Sequence, residues 1–293
     1  MTESDEPLGA ASDRHAGGAG QPEAGSDGNY MLSTGEAGAA RLAILGRVLR
    51  PTTEAFLSRA GLSAGMRTLD LGCGGGDVTR LIASVVGDAE VVGIDSDPLV
   101  IAIAAGHPPD VGTRRQPRFL VGTAEDLPDM GDFDFVYARF LLTHVKDPQA
   151  VLRSLFFACP PGATIAVEDI DFAAHVCDPP SSAFDRFVEL YQQTARAHGA
   201  DPCIGPELPD LLRSAGLVDV ESTALVPRFT EGEGKLIAYL TFVQIQPSLV
   251  ASGLAGQSEL RAISTELRRL GDDGWSMMSL AGIVQASGRI PAR

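Results

Sequence analysis

The chain predicts an α/β fold built on a mostly parallel sheet with helices on both faces, and three observations carry that prediction. Short apolar runs of strand length recur along the chain, at 68–71, 91–95, 163–171, 218–229 and 277–290. Helical patterns stand between them, and strands that are continuously apolar rather than alternating are those buried on both faces. The first strand breaks into consecutive glycines and then a helix, which places a ligand crevice at the carboxyl ends of the strands.

The elements follow in order. Residues 1–28 are rich in Gly, Ala, Ser and acids with hardly an aliphatic anchor, so they bury too little apolar surface to offset the entropy of ordering and are expected to be a disordered tail. Residues 37–49 carry Leu42, Leu45 and Leu49 at helical spacing, and Pro51 is expected to open a second helix through Leu57. These two helices make a segment, 29–61, that leads into the main domain at 62–293. Within that domain the spacing predicts helices at 78–86, 98–105 and 181–198, the last with Phe184, Phe187, Val188 and Tyr191 on one side. A short helix at 208–215 stops at Gly216, the residue type that tolerates a left-handed cap. The stretch at about 232–272 is longer than a hairpin needs and reads as two helices, one apolar around 236–243 and one amphipathic around 260–270. It is expected to cap a pocket. Arg114, Arg115 and Arg118 read as a solvated basic turn.

The run Thr68-Leu69-Asp70-Leu71-Gly72-Cys73-Gly74-Gly75-Gly76-Asp77 carries the chemistry. Consecutive glycines let the backbone take positive φ and approach a ligand with no Cβ in the way, and the following helix offers unpaired N–H groups. This suits a nucleotide-like cofactor. A dinucleotide fingerprint needs a third glycine at the sixth position of the turn, where Asp77 stands instead. An acid two residues before G-C-G-G-G resembles the first motif of the class I S-adenosylmethionine-dependent methyltransferases, in the small-molecule group similar to the ubiquinone/menaquinone methyltransferases.

Further segments sustain that resemblance. Val91-Val92-Gly93-Ile94-Asp95 ends in a carboxylate that, in such enzymes, accepts the ribose hydroxyls, with Ser96 beside it. The stretch from Phe119 to Pro128 is similar to the motif that contacts adenine, which implicates Thr123, Ala124, Glu125 and Asp126. Many relatives carry an acid or amide where Thr123 stands, so the contact passes to Glu125 or Asp126 if Thr123 does not make it. Residues 133–148 resemble the fourth strand and the segment after it, including Ala138, and Pro160-Pro161-Gly162 resembles the turn before the fifth. The resemblance spans roughly 62–171. It implies a Rossmann-like sheet of seven strands whose last enters antiparallel, S-adenosyl-L-methionine as cofactor held by Asp70, Gly72, Cys73, Gly74 and Asp95, and a lid from the N-terminal helices. Tyr30 and Arg41 are the lid candidates for the methionine carboxylate; equally, Tyr30 packs and Arg41 is a solvated helix charge.

Methyl transfer from a sulfonium is an in-line displacement that demands alignment above all. His144 is the candidate base, because it follows the fourth strand and imidazole titrates near neutral pH; the alternative is a structural hydrogen-bonding group. Arg139 is the candidate for orienting an anionic acceptor. Glu168, Asp169 and Asp171 invite a metal reading, but alternation along the strand turns Asp169 away from Glu168, and no metal is expected. His175 reads as an exposed loop histidine. Phe140, Phe172, Phe184, Tyr191 and Tyr239 either line an apolar pocket or are core.

Composition narrows the partners. With 23 basic against 38 acidic residues the chain carries a charge of −15, which argues against nucleic acid and for a small-molecule acceptor. Cys73, Cys159, Cys177 and Cys203 have no paired spacing and are expected to be reduced thiols. No apolar run is long enough to cross a bilayer, and a cytoplasmic protein is expected, with a homodimer left open. Three functions fit: a methyltransferase on an O, N or C nucleophile, with natural-product metabolism as its setting; a relative using the same cofactor for cyclisation or other non-methyl chemistry; and a non-catalytic binding protein.

Overall fold

A computed structural model describes residues 36–108, 115–127 and 132–292. The expected tail at 1–28, Tyr30 and Arg114 lie outside the described residues. Helix α1 (Glu36–Arg59) leads into β1 (Thr68–Leu71), α2 (Asp77–Val86), β2 (Val91–Asp95), α3 (Pro98–Gly106), β3 (Arg118–Val121) and β4 (Phe135–Arg139). Then come α4 (Pro148–Ala158), β5 (Thr164–Asp171), β6 (Cys177–Asp178), α5 (Ser182–Ala197), α6 (Leu208–Ala215), β7 (Val218–Leu225) and β8 (Arg228–Phe229). Helices α7 (Ile237–Ser252) and α8 (Gln257–Asp272) precede β9 (Met277–Ser279) and β10 (Gly282–Arg289).

Seven strands form one sheet in the order β3-β2-β1-β4-β5-β10-β7. The first five are parallel, and β10 runs antiparallel to both β5 and β7. The order reverses between β1 and β4, so the crevice opens over the carboxyl ends of those two strands. The burial of β1, β2 and β4 on both faces follows from helices above and below. On one face Leu69, Ile94, Val136, Val151, Leu152 and Leu212 join in a core; on the other Phe56, Leu57, Leu81, Ile82, Phe135 and Tyr137 do.

Local chemistry sets the helix starts. Asp97 and Asp147 cap α3 and α4, each with a proline as the first helical residue, and accept the N–H groups of Leu99 and Ala150. Gly216, at φ 104°, ends α6 as expected.

Four readings change. Pro51 lies inside one continuous α1 rather than opening a second helix. Proline removes one helical hydrogen bond, and contacts to the sheet compensate: Gln285 donates to the Thr52 carbonyl and Thr53 donates to Glu168. The run 218–229 breaks at Val226-Pro227 into β7 and β8, and 277–290 breaks at Leu280-Ala281 into β9 and β10. The pieces β6, β9 and β8 form a separate three-stranded sheet. The cap is larger than the segment before the last strand, because α5 packs with α7 and α8 around Phe184, Phe187, Phe242, Ile245, Leu260 and Leu267. The basic turn is partly paired: Arg115 and Arg118, with Arg67, converge on Glu90.

Candidate active site

A cavity of about 910 Å³ runs from the glycine turn to the cap. At the first end Gly72, Gly74 and Gly76 have φ of 74°, 53° and 78°, a conformation that L side chains rarely adopt. A Cβ added at Gly74 would meet nothing nearer than Leu42 at 3.9 Å, so bare backbone is what a ligand encounters there. Asp95, at the tip of β2, holds the turn: its carboxylate accepts from the Gly74 N–H at 2.9 Å and the Asp97 N–H at 3.1 Å. Burial raises its pKa, and these backbone donors oppose the rise. Each oxygen keeps a lone pair for a further donor, and the residue lines the cavity, which fits a ribose diol.

Other sequence-named residues gather on the same wall: Cys73, Ser96, Thr123, Ala124 and Glu125. Two do not. Asp70 lies buried behind the turn, accepting from Thr79 Oγ1 at 2.6 Å, with its pKa raised to about 6 chiefly by burial. Ala138 is interior to β4 and is not on the wall; nor is Asp126, whose N–H donates to Thr123 Oγ1. Asp70 and Ala138 therefore stand as supports behind the site, and of the two acids Glu125 is the one on the cavity wall. Burial pushes the Cys73 thiol far up, so it is an inert wall group.

The middle of the cavity is built by the segment after β4. Phe140 takes φ 55°, unusual for a bulky residue, and its N–H donates to the Glu168 carbonyl at 2.9 Å. His144 closes a single 3-10 turn, Leu142–His144. Burial first, and then the nearby Arg41 charge, lower its pKa to about 4, so the imidazole is neutral at physiological pH. Beneath the turn, the Asp169 carboxylate accepts from the N–H groups of Thr143 and Ile170, and burial raises its pKa to about 7. Arg41 lines the cavity and donates from Nε to Thr241 Oγ1 at 2.9 Å, tying α1 to α7.

Arg139 lines the cavity too, but its charge is met from behind. Glu168, 2% exposed, lies 3.9 Å from Arg139 Nε and accepts from Thr53, Tyr137 and Gln285 at 2.6–2.7 Å. The three acids of β5 thus do not converge: Glu168 serves this network, Asp169 the 3-10 turn, and Asp171 accepts from the Ala173 N–H. Among the described residues no cluster of three such side chains is arranged to hold a metal ion.

The far end is aromatic. Phe172 and Tyr191 stack at 3.7 Å with planes 10° apart, and His175 lies 4.2 Å from the Phe172 ring. His175 is therefore not an exposed loop residue; its Nδ1–H donates to the Phe172 carbonyl at 2.9 Å, and burial lowers its pKa to about 4. Tyr191, Phe172 and Phe140 line the cavity, whereas Phe184 is core. Sequence reasoning missed Thr241 and Gln244 on the cavity wall, and Asp97 at its glycine-turn end. A signal for Gln244 was present: a polar residue set between Phe242, Val243 and Ile245 in α7.

The fold and site define an α/β protein that binds a nucleotide-like cofactor at a glycine turn. Residues 62–201 match the methyltransferase domain family, which supports the resemblance to the class I S-adenosylmethionine-dependent methyltransferases. It is 33% identical over 175 residues to trans-aconitate 2-methyltransferase of Methylobacterium radiotolerans, covering 60% of this chain and 63% of that one. It is 32% identical over 130 residues to the ubiquinone/menaquinone biosynthesis C-methyltransferase UbiE of Vibrio campbellii, covering 44% of this chain and 49% of that one. The chain thus spans about half to under two thirds of the length of these relatives. Among solved structures, the YcgJ protein of Bacillus subtilis superposes with a TM-score of 0.51 at 20% identity, over 80% of this chain and 97% of that one. Phosphoethanolamine N-methyltransferase 2 of Haemonchus contortus, in complex with phosphomonomethylethanolamine and S-adenosylhomocysteine, gives 0.51 at 16%, over 86% and 58%. Both likenesses concern the fold. The family match supports S-adenosyl-L-methionine as the cofactor. No described helix is long and apolar enough to cross a membrane.

Proposed function

We propose that this chain methylates an O, N or C nucleophile of a small molecule. One observation carries the reading: a single cavity joins the glycine turn and Asp95 to an aromatic chamber under the cap, so cofactor and acceptor share one space. When bound, S-adenosylmethionine supplies an electrophilic methyl group. The chain's own residues supply place and surroundings. Asp95 and the backbone of the glycine turn hold the nucleoside, Glu125 and Thr123 border the base, and Arg41 meets the carboxylate. Phe140, Leu141 and the cap exclude water and align the nucleophile, an effect worth up to about 7–11 kcal/mol of barrier in favourable cases.

His144, neutral with a pKa of about 4, is a poor base for an ordinary alcohol or amine and serves better as a hydrogen-bonding group that turns the acceptor's lone pair. The test is calorimetric titration with S-adenosylmethionine, S-adenosylhomocysteine and NADH, followed by a mass-shift screen of small acceptors. Binding of the first two but not NADH, and a product heavier by one methylene, support the reading. Preference for NADH, or a converted acceptor of unchanged mass, overturns it.

A further inference from the structure

We propose that Gln244 is the residue that selects the acceptor, and that the acceptor is an uncharged, planar conjugated molecule with a hydrogen-bonding pair on its ring. This inference rests on the methyltransferase reading for the reaction but on separate residues for the selection. Gln244 is 7% exposed, lies on α7 and lines the cavity. Neither its Nε2 nor its Oε1 has a hydrogen-bond partner among the described residues. Buried amides are almost always paired. Two residues on, Gln246 follows that rule, donating to Ser264 Oγ of α8 at 2.8 Å. The cap thus satisfies one glutamine internally and leaves its neighbour beside the cavity with one donor and one acceptor uncommitted.

The surroundings state what would complete the pair. Across the chamber stand the stacked Phe172 and Tyr191, with Phe187 and His175 at their edges. Such a wall favours a flat π-system in offset or edge-on contact. With Nδ1–H committed to the Phe172 carbonyl, the neutral His175 ring offers Nε2 as an acceptor, suited to a hydroxyl or ring N–H. The cations on the cavity wall do not invite an anion into this chamber. Arg139 has Glu168 as counter-charge, Arg41 serves the cofactor's carboxylate under the proposed function, and Lys146 is exposed to solvent. A carboxylate-rich acceptor of the kind named for the trans-aconitate relative would therefore sit poorly here. A phenol, a keto-enol or a ring amide presents a donor and an acceptor side by side, which is what an amide recognises.

The experiment uses the full chain, wild type and Gln244→Leu, with 2,3-dihydroxynaphthalene, naphthalene and trans-aconitate as probes, titrated with and without S-adenosylhomocysteine. Wild type is expected to prefer 2,3-dihydroxynaphthalene over naphthalene by at least about tenfold, because a site with idle polar groups rejects the analogue lacking their partners. Q244L is expected to bring the two within about twofold and to leave S-adenosylhomocysteine affinity unchanged. Its Tm without ligand is expected to hold or to rise by about 2 °C, since an apolar group replaces an unpaired amide. A fall of Tm by more than about 2 °C would show that the amide is structural and overturn the assignment. So would an unaltered probe preference in Q244L, or tighter binding of trans-aconitate than of 2,3-dihydroxynaphthalene by wild type. Failure of wild type to bind S-adenosylhomocysteine would count against the methyltransferase reading, while the cofactor-free titrations would still decide the role of Gln244.

Discussion

The two ends of the cavity are made in opposite ways. At the cofactor end a few consecutive residues do the work: Gly72, Cys73 and Gly74 turn, and Asp95 on the next strand pins them through backbone hydrogen bonds. At the acceptor end no short segment suffices. Phe172, Tyr191, Thr241 with Gln244, and Leu280 come from four separate places in the chain, brought together by side-chain packing among α5, α7, α8 and the small sheet. Under the proposed function, backbone geometry makes a general cofactor site and assembled side chains make a particular acceptor site. The difference explains how one fold serves many acceptors.

The broadest way to break this contrast is to remove what both ends share. Glu168 ties α1, β4 and β10 together and neutralises Arg139, so Glu168→Ala is expected to destabilise the protein by about 3–5 kcal/mol in urea denaturation, with both ends failing together. Asp95→Ala should separate them. Losing two charge-assisted hydrogen bonds to a ribose, each worth about 1.5–3 kcal/mol, weakens S-adenosylhomocysteine by at least about 100-fold in calorimetry while binding of an aromatic probe persists.

Protonation distinguishes the ends more finely. Asp169 and Asp70, with pKa raised to about 7 and about 6, keep a proton in the folded state that the unfolded chain has lost, so each lowers stability as pH rises from about 4 toward those values. His144 and His175, lowered to about 4, are neutral when folded and charged when unfolded, so each raises stability as pH climbs from about 4 to about 6.5. Across pH 4–6 two groups oppose two, and wild-type stability is expected to be nearly flat from these residues. Asp169→Asn should unmask an upward slope of about 1.4 kcal/mol per pH unit, and His175→Phe a downward one, in urea midpoints across that range. The smallest effect belongs to the aromatic wall: Tyr191→Leu loses a stacked pair worth about 0.5–1.5 kcal/mol and slows acceptor turnover without changing S-adenosylhomocysteine affinity.

The same contrast governs what could be read from the sequence. The glycine turn and the parallel strands were legible from local patterns of residue types, whereas the antiparallel last strand was legible only through the family resemblance. The extent of the cap was not. Helix α5 shows an amphipathic face, but nothing in that face says it packs on α7 and α8 more than 40 residues later. Pro51 pointed to a break that the contacts of Thr53 and Gln285 override. Asp70 and Ala138 matched by position, yet position in a motif does not reveal whether a side chain faces the ligand or stands behind it.

Helix α1 carries a kinetic consequence. Its second half is anchored in the interior through Thr53 and Glu168, whereas its first half packs Leu45 and Leu49 against Ile237, Leu280 and Ile283 and is tied to α7 by Arg41–Thr241 and to the turn before α7 by an exposed pair, Arg47–Glu233, of a kind worth about 0–1 kcal/mol. Pro51, between the halves, donates no hydrogen bond across the helix. The two halves therefore exchange with solvent on separate clocks, with amide hydrogens of 41–50 replaced sooner than those of 53–59. Under the proposed reading, Arg41→Ala is expected to shorten the residence time of S-adenosylhomocysteine more than it changes its arrival rate, which stopped-flow binding would measure.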